Sequence, residues 1–590
     1  MSTEPGTWNW PSAAVSVPES SVADETSVPP EQSPWTIPLP SLVVFILLYL
    51  LAMVVPLIRI QTDPPGDYNW EAYTAAGLLI FLDNPTSNVL KAREGLMTNS
   101  GESAVVVGPM WLTTNLFGLT FGNMRIAMLA IAALAVPLTW LLGRLLRGDA
   151  LGLGAAVGLA TSQVFLLYGR TGTNVGMSLM PAVLTMIALW CCVDPGRRRW
   201  WLWLAALQVL LILNSYFYAP IRFLWLIAII LFLVEALMRR GWGVRGRFLL
   251  SAVITLGILP LVLPQILNVP NLSIPGAVQE YYRGRGEQIF TINDDQTRFV
   301  PFLKPSTEEQ QQKLESESIA ELTQRFVQTK AEDLGNLLID HNTKPAITDY
   351  WNPQGRLYDR LLVPFFLLGM LLLLVRVFRS PQARFLLALF WGLSLPLLLT
   401  SNVHIGRLIF VTPLLALIVL WPVVCGIEWI GRNVSRRLDW LALVLCLGIA
   451  TMGAIPSLQD WFGTPFRVER ALVVRQTIDT TIQNRPSPQI AYVFGKDEDW
   501  EIERLRVASL RIQMGEAAQF VDLKSGAVYG DGPVRVLMHG LMERLQAPAT
   551  VPGFCTNVYI IDEDLEATFL TLTTASALQL CGKPLTYQVP

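Results

Sequence analysis

The chain has 590 residues, of which 52% are hydrophobic and only 15% charged, with 44 basic residues against 46 acidic ones and a net charge of -2. A soluble globular chain carries roughly 25% charge and one hydrophobic core stops growing near ~250–300 residues, so a single soluble domain is excluded. The charge balance excludes a basic nucleic-acid footprint, and a mean hydropathy of +0.43 excludes overall disorder and leaves an integral membrane protein.

Residues 1–36 contain no Lys or Arg and five acids among many Pro, Ser and Val. This reads as a disordered tail, because a signal peptide would begin with basic residues. Beyond it, an α-helix needs about 20 mostly apolar residues to cross the hydrocarbon core. Eleven stretches meet this requirement: 38–58, 124–143, 151–168, 174–193, 200–218, 221–238, 248–267, 358–375, 385–402, 407–430 and 438–456. Several hold Pro, among them Pro56, Pro137, Pro260 and Pro422, which helix neighbours in a membrane bundle accommodate. The expected fold is an all-α polytopic protein of about 11 transmembrane helices over residues 37–456.

Arginine sets the orientation, since short cytoplasmic loops retain positive charge. Five alternate loops hold fifteen Arg (Arg144 to Arg147, Arg197 to Arg199, Arg239 to Arg247, Arg376 to Arg384, Arg432 to Arg437), whereas the short loops on the other side hold Arg170, Arg222 and Arg407. The N-terminus is therefore expected in the cytoplasm of a multi-pass, plasma-membrane protein. The loops 59–123 and 268–357 and everything from 457 to 590 then lie outside. Loop 268–357 includes an amphipathic stretch, Glu308–Leu338. In 457–590, helical patterns alternate with short apolar strands at Ile490–Phe494, Gln519–Leu523, Val534–Met538 and Asn557–Ile561, which predicts an extracytoplasmic α/β domain. Cys555 and Cys581 there could pair or remain buried thiols, and Cys191, Cys192, Cys425 and Cys446 fall in spans, where packing is the expected role.

The first outer loop carries the most chemistry. It reads Arg59-Ile-Gln-Thr-Asp63-Pro64-Pro65-Gly66-Asp67-Tyr68-Asn69-Trp70-Glu71-Ala72-Tyr73, with three acids directly after a membrane exit. From Glu71 to Leu82, and again over Val105–Leu119 after Gly101-Glu102-Ser103, the pattern suits a helix lying in the interface. An ionised carboxylate held at that depth loses hydration, which function would justify; an ordinary solvated loop is the other reading. The three histidines, His341, His404 and His539, have no ligand spacing. Asp67, Glu71 and Glu102 have the donor type for a divalent cation but lack an Asp-x-Asp spacing, so no cofactor is assigned.

These motifs resemble a family. Pro64-Pro65-Gly66, Glu71-Ala72-Tyr73 and Gly101-Glu102 look like the first loop of the GT-C glycosyltransferases, in the branch of the protein O-mannosyltransferases and the lipid A aminoarabinose transferases. The order continues with Asn123-Met-Arg125, Tyr168-Gly-Arg170, Tyr216-Phe-Tyr218-Ala-Pro-Ile-Arg222, Gln279-Glu-Tyr-Tyr-Arg283 and Leu399-Thr400…Arg407…Pro413. The resemblance runs from residue 38 to about 456 and leaves the C-terminal segment unexplained. It implies GT-C architecture and a transferase that moves a sugar from a polyprenyl-phosphate donor to a lipid, glycan or protein acceptor at the outer membrane face. Asp67 or Glu71 would be the base, with Glu102 helping to position substrate. Arg170, Arg222 and Arg407, each at a helix end at headgroup depth, would bind the donor phosphate, although such arginines also snorkel to the interface.

One departure matters. The family places an Asp-Glu pair ahead of Ala, and this chain has Trp70-Glu71. Asp67 could take the missing role, Glu71 could take it, or the chain could be a non-catalytic relative that binds a partner. A transporter or flippase is the remaining alternative; it would call for charged residues deep in discontinuous helices, and the centres of the spans are nearly free of charge.

Overall fold

The computed structural model describes residues 39–58, 104–118, 120–194, 199–217, 219–239, 241–267, 334–340, 357–399, 405–433 and 439–463, a few single residues between them, and five short strands between 489 and 579. It divides into two units: Met1–Phe45, described only from the start of its helix, and Ile46–Pro590, which holds the bundle.

Helices occupy all eleven expected stretches. They are α1 (Leu39–Leu57), α2 (Ala104–Phe117), α3 (Phe121–Ala132), α4 (Ala135–Arg147), α5 (Asp149–Ala160), α6 (Gln163–Arg170), α7 (Asn174–Met177) and α8 (Leu179–Val193). After these come α9 (Trp200–Asn214), α10 (Phe223–Met238), α11 (Trp242–Leu267), α12 (Val363–Arg376), α13 (Pro381–Leu399), α14 (Thr412–Asn433) and α15 (Asp439–Gly463). By length and apolarity, seven helical stretches among the described residues can each cross a membrane, and α5 with α6 makes an eighth, bent by 59°. The count therefore stops at eight where the hydropathy reading expects eleven. The difference lies in α9, α12 and α13, of 15, 14 and 19 residues. At about 1.5 Å per residue, α9 and α12 fall short of a ~30 Å hydrocarbon core.

The bundle is built around α5, which packs against α4, α14 and α15. Its small residues make this possible. A side chain at Gly152 would stand 2.3 Å from the Trp140 carbonyl oxygen, so α4 and α5 approach backbone to backbone, as small residues allow in membranes. The turn between them is a single residue, Gly148, at φ 99°, a conformation that favours glycine. Asp149 secures that turn: its Oδ1 accepts from Trp140 Nε1 at 3.1 Å and lies 3.4 Å from Arg144 Nε. By contrast, α11 leaves Leu249, Leu250, Val253 and Leu256 exposed, the face expected to meet lipid.

The arginine-rich end of the bundle is pinned by ion pairs. Arg147 donates from Nε and Nη2 to the two oxygens of Glu428 at 2.8 and 2.6 Å, and its guanidinium lies 4.7 Å over the Trp421 ring. Arg247 donates to the carbonyls of Cys192 and Asp194 at 2.6 and 3.2 Å, closing the end of α8. Cys191, Cys192, Cys425 and Cys446 are buried and in no disulfide.

Beyond residue 463, β1 (Gln489–Val493) lies between β2 (Ala518–Val521) and β3 (Val534–Met538) in a parallel sheet of order β2-β1-β3. β4 (Asn557–Val558) pairs antiparallel with β5 (Leu578–Gln579). Parallel neighbours require crossovers. The helical patterns expected to supply them, and Cys555 with Cys581, lie outside the described residues, as does most of the stretch Glu308–Leu338.

Candidate functional site

The end opposite the arginine-rich loops gathers buried polar side chains, and the break between α5 and α6 explains how. Thr161 closes α5, donating from Oγ1 to the Val157 carbonyl at 2.9 Å. Ser162 then turns extended (φ -68°, ψ 140°), and its Oγ accepts from Phe165 N at 3.3 Å as the N-cap of α6. Two adjacent hydroxyl residues thus each supply a partner to one helix end, where the chain bends inside the bundle.

α6 is buried along its whole length and ends at Arg170, which is 2% exposed. Thr171 is extended (ψ 141°), and Thr171, Thr173 and Asn174 are all buried beside it. Thr171 Oγ1 and Thr173 Oγ1 lie 3.2 Å apart. Gly176 lets this segment fold tightly back: a side chain there would stand 1.9 Å from the Tyr168 carbonyl oxygen. The Arg170 guanidinium lies 5.1 Å over the ring of Trp461 in the last turn of α15.

The other two short-loop arginines sit on neighbouring elements. A 3-10 turn, Ala219–Arg222, leads into α10. It is fixed by Trp225, whose Nε1 donates to Ser215 Oγ and to the Leu211 carbonyl, each at 3.1 Å. Asn214 extends the anchor, donating from Nδ2 to Thr185 Oγ1 at 2.7 Å. Arg222 itself is half-buried. Arg407 belongs to the 3-10 segment Ile405–Val411, whose Leu408, Ile409, Phe410 and Val411 are buried. That segment packs against both α6 and Ala219–Arg222. Three arginine-bearing elements, far apart in sequence, therefore share one end of the bundle.

The carboxylates of the sequence reading are not part of this picture. Asp67, Glu71 and Glu102, with Trp70, lie outside the described residues. Two flanking features are described. Arg125, 1% exposed near the start of α3, donates from Nη1 to the carbonyl of Ile60 at 3.3 Å, three positions ahead of Asp63. The interface segment expected over Val105–Leu119 is helix α2. Among the described residues no group of three or more His, Cys, Asp or Glu could hold a metal ion.

Sequence reasoning did not single out Gln163, Asp460 or Trp461. Gln163 donates from Nε2 to Asp460 Oδ2 at 2.8 Å, across 297 positions. The available signal was a polar Thr-Ser-Gln run inside an apolar stretch, and an acid and a Trp beyond Pro456. The expected span stops at residue 456, yet α15 runs through Pro456 to Gly463.

No family profile matches the chain, and no curated protein matches it. Among solved structures, it is similar to the oligosaccharyltransferase of Archaeoglobus fulgidus in the apo form, with 14% identity, 79% of this chain and 63% of that chain covered, and a TM-score of 0.45. It is also similar to ArnT of Cupriavidus metallidurans bound to undecaprenyl phosphate, with 13% identity, 82% and 90% of the two chains covered, and a TM-score of 0.46. The chain thus spans less than two thirds of the length of the archaeal enzyme.

Proposed function

We propose that this chain is a GT-C type membrane glycosyltransferase that moves a sugar from a polyprenyl-phosphate donor to a lipid, glycan or protein acceptor at the outer face of the membrane. The full reading has eleven crossings: the eight, α13, and α9 and α12 lengthened by the turns that adjoin them (215–217 and Arg360–Leu362), with the N-terminus in the cytoplasm and the chain beyond α15 outside. The observation that supports it best is the packing of Ile405–Val411 against both α6 and Ala219–Arg222. It brings to one end of the bundle the elements that carry Arg170, Arg222 and Arg407, the three arginines of the short outer loops.

The chemistry follows from charge. The acceptor hydroxyl attacks the anomeric carbon with inversion and gives its proton to Asp67 or Glu71. The bond from that carbon to the phosphate oxygen breaks, and its electron pair leaves on the lipid phosphate. Glu102 helps to position the substrate. The phosphate gains negative charge as it departs, and guanidinium groups in a low-dielectric setting stabilise it most in the transition state. Arg suits this role because its planar fork can grip two phosphate oxygens.

The test is sugar transfer from a labelled polyprenyl-phosphate donor in membranes carrying the full chain. Arg170→Gln, Arg222→Gln and Arg407→Gln should each lower the rate by about 100-fold, the order of loss of one transition-state donor. Full activity in all three variants would remove the assignment.

A further inference from the structure

The last turn of α15 reaches α6 at two points. Gln163, the first residue of α6, donates to Asp460 at 2.8 Å, and the guanidinium of Arg170, its last residue, lies 5.1 Å over the Trp461 ring. Residues seven apart on a helix share a face, two turns and about 10 Å distant from each other. Adjacent residues of α15 therefore hold α6 at both its ends. Gln163 and Arg170 are buried while Asp460 is half-buried. The bundle does not need these contacts to close, because α5 already packs along the length of α15.

Resting on the reading of Arg170 as a phosphate ligand, we infer that Trp461 and Asp460 are positioning residues for it: Trp461 orients the guanidinium, and Asp460, through Gln163, fixes the bend that decides where α6 ends. A long arginine side chain has many rotamers, and a two-oxygen grip on phosphate demands one orientation of its plane. Contact with a ring face supplies that orientation without using up an N–H group, and a desolvated guanidinium gains most from it. The carboxylate of Asp460 meets a side-chain amide, so its role is geometric, and an amide oxygen in the same place would serve as well.

The experiment titrates a polyprenyl monophosphate against the full chain in detergent. Trp461→Phe and Asp460→Asn keep the ring face and the acceptor oxygen and should bind within about three-fold of the parent. Trp461→Leu should weaken binding by about ten-fold, the range of a buried cation–π contact, and Asp460→Ala by about as much, the range of one hydrogen bond to a charged group. In an Arg170→Gln background, Trp461→Leu should add no further loss, whereas a merely structural Trp would lower binding there too. Unchanged binding in Trp461→Leu, or an equal loss with and without Arg170, overturns the positioning role and leaves the proposed function standing. Failure of the unsubstituted chain to bind the monophosphate overturns the proposed function, and the positioning role with it.

Discussion

Arg384 grips Glu235 with two nitrogens, Nε at 2.6 Å from one carboxylate oxygen and Nη2 at 3.0 Å from the other, across 149 positions of sequence. Arg239, the residue that follows α10, reaches the same carboxylate at 2.8 Å. Glu235 has no exposure at all. The most buried acid of the described bundle thus balances two of the arginines that mark its charged end.

Removing that acid should be costly. Glu235→Gln leaves Arg384 buried without its counter-charge, and breaking one side of a buried pair costs about 3–5 kcal/mol. The thermal midpoint in detergent should fall sharply. In the double variant Glu235→Leu with Arg384→Met, only Arg239, whose side chain is 21% exposed, loses its carboxylate, and much of the midpoint should return. A midpoint unchanged in Glu235→Gln would mean that the pair contributes nothing.

The second expectation concerns the fold-back beside Arg170. Gly176→Ala would drive a methyl group onto the Tyr168 carbonyl oxygen, which lies 1.9 Å from where it must go. Backbone has to move, and overpacking of this kind typically costs about 1–3 kcal/mol or more. Gly426→Ala is the matched control, since nothing stands within 4 Å of its added carbon. Thermal melts of the two variants should separate clearly, with Gly426→Ala at or above the parent because alanine favours helix.

Hydropathy is a local property, and this explains what could be read in advance. Each apolar stretch became helix because a run of Leu, Ile, Val and Phe in lipid must satisfy its backbone internally. The bend of α5–α6 was half visible, as Thr161-Ser162 is a pair that caps and interrupts. Pairings were not visible. Nothing near Glu235 in sequence announces Arg384, and Gln163 and Asp460 meet only because two helices cross. The last helix overruns its expected end at residue 456: Pro456 removes one backbone donor, a defect that need not end a helix packed among neighbours. The arginines stood out by scarcity, whereas their shared location depends on the 3-10 segment Ile405–Val411, which no periodicity foretold.

A third expectation follows from α2. Its Val107 and Met110 are buried, whereas Leu112, Leu116 and Phe117 are exposed apolar side chains. Such a helix should lie in the interface with its exposed apolar side chains among acyl chains. A nitroxide on Leu116→Cys in vesicles should relax faster with oxygen than with a polar nickel chelate. The reverse ranking would place this face in water.

The final expectation separates an active enzyme from a non-catalytic relative. Trp70 cannot accept a proton, so the base must be a neighbour if there is one. Asp67 and Glu71 are the acids flanking it, and they differ in reach: Asp67 lies three residues before Trp70, and Glu71 immediately follows it. Asp67→Asn and Glu71→Gln keep size and hydrogen-bonding capacity while abolishing basicity. General base catalysis contributes about 10²–10⁴-fold, so one of the two should lose transfer by at least 100-fold while still binding the polyprenyl monophosphate. The other should lose far less, because a residue that only positions substrate retains most of its contacts as an amide. A parent chain that binds the lipid phosphate yet transfers no sugar to any acceptor would identify a binding protein in which Trp70 marks the lost base.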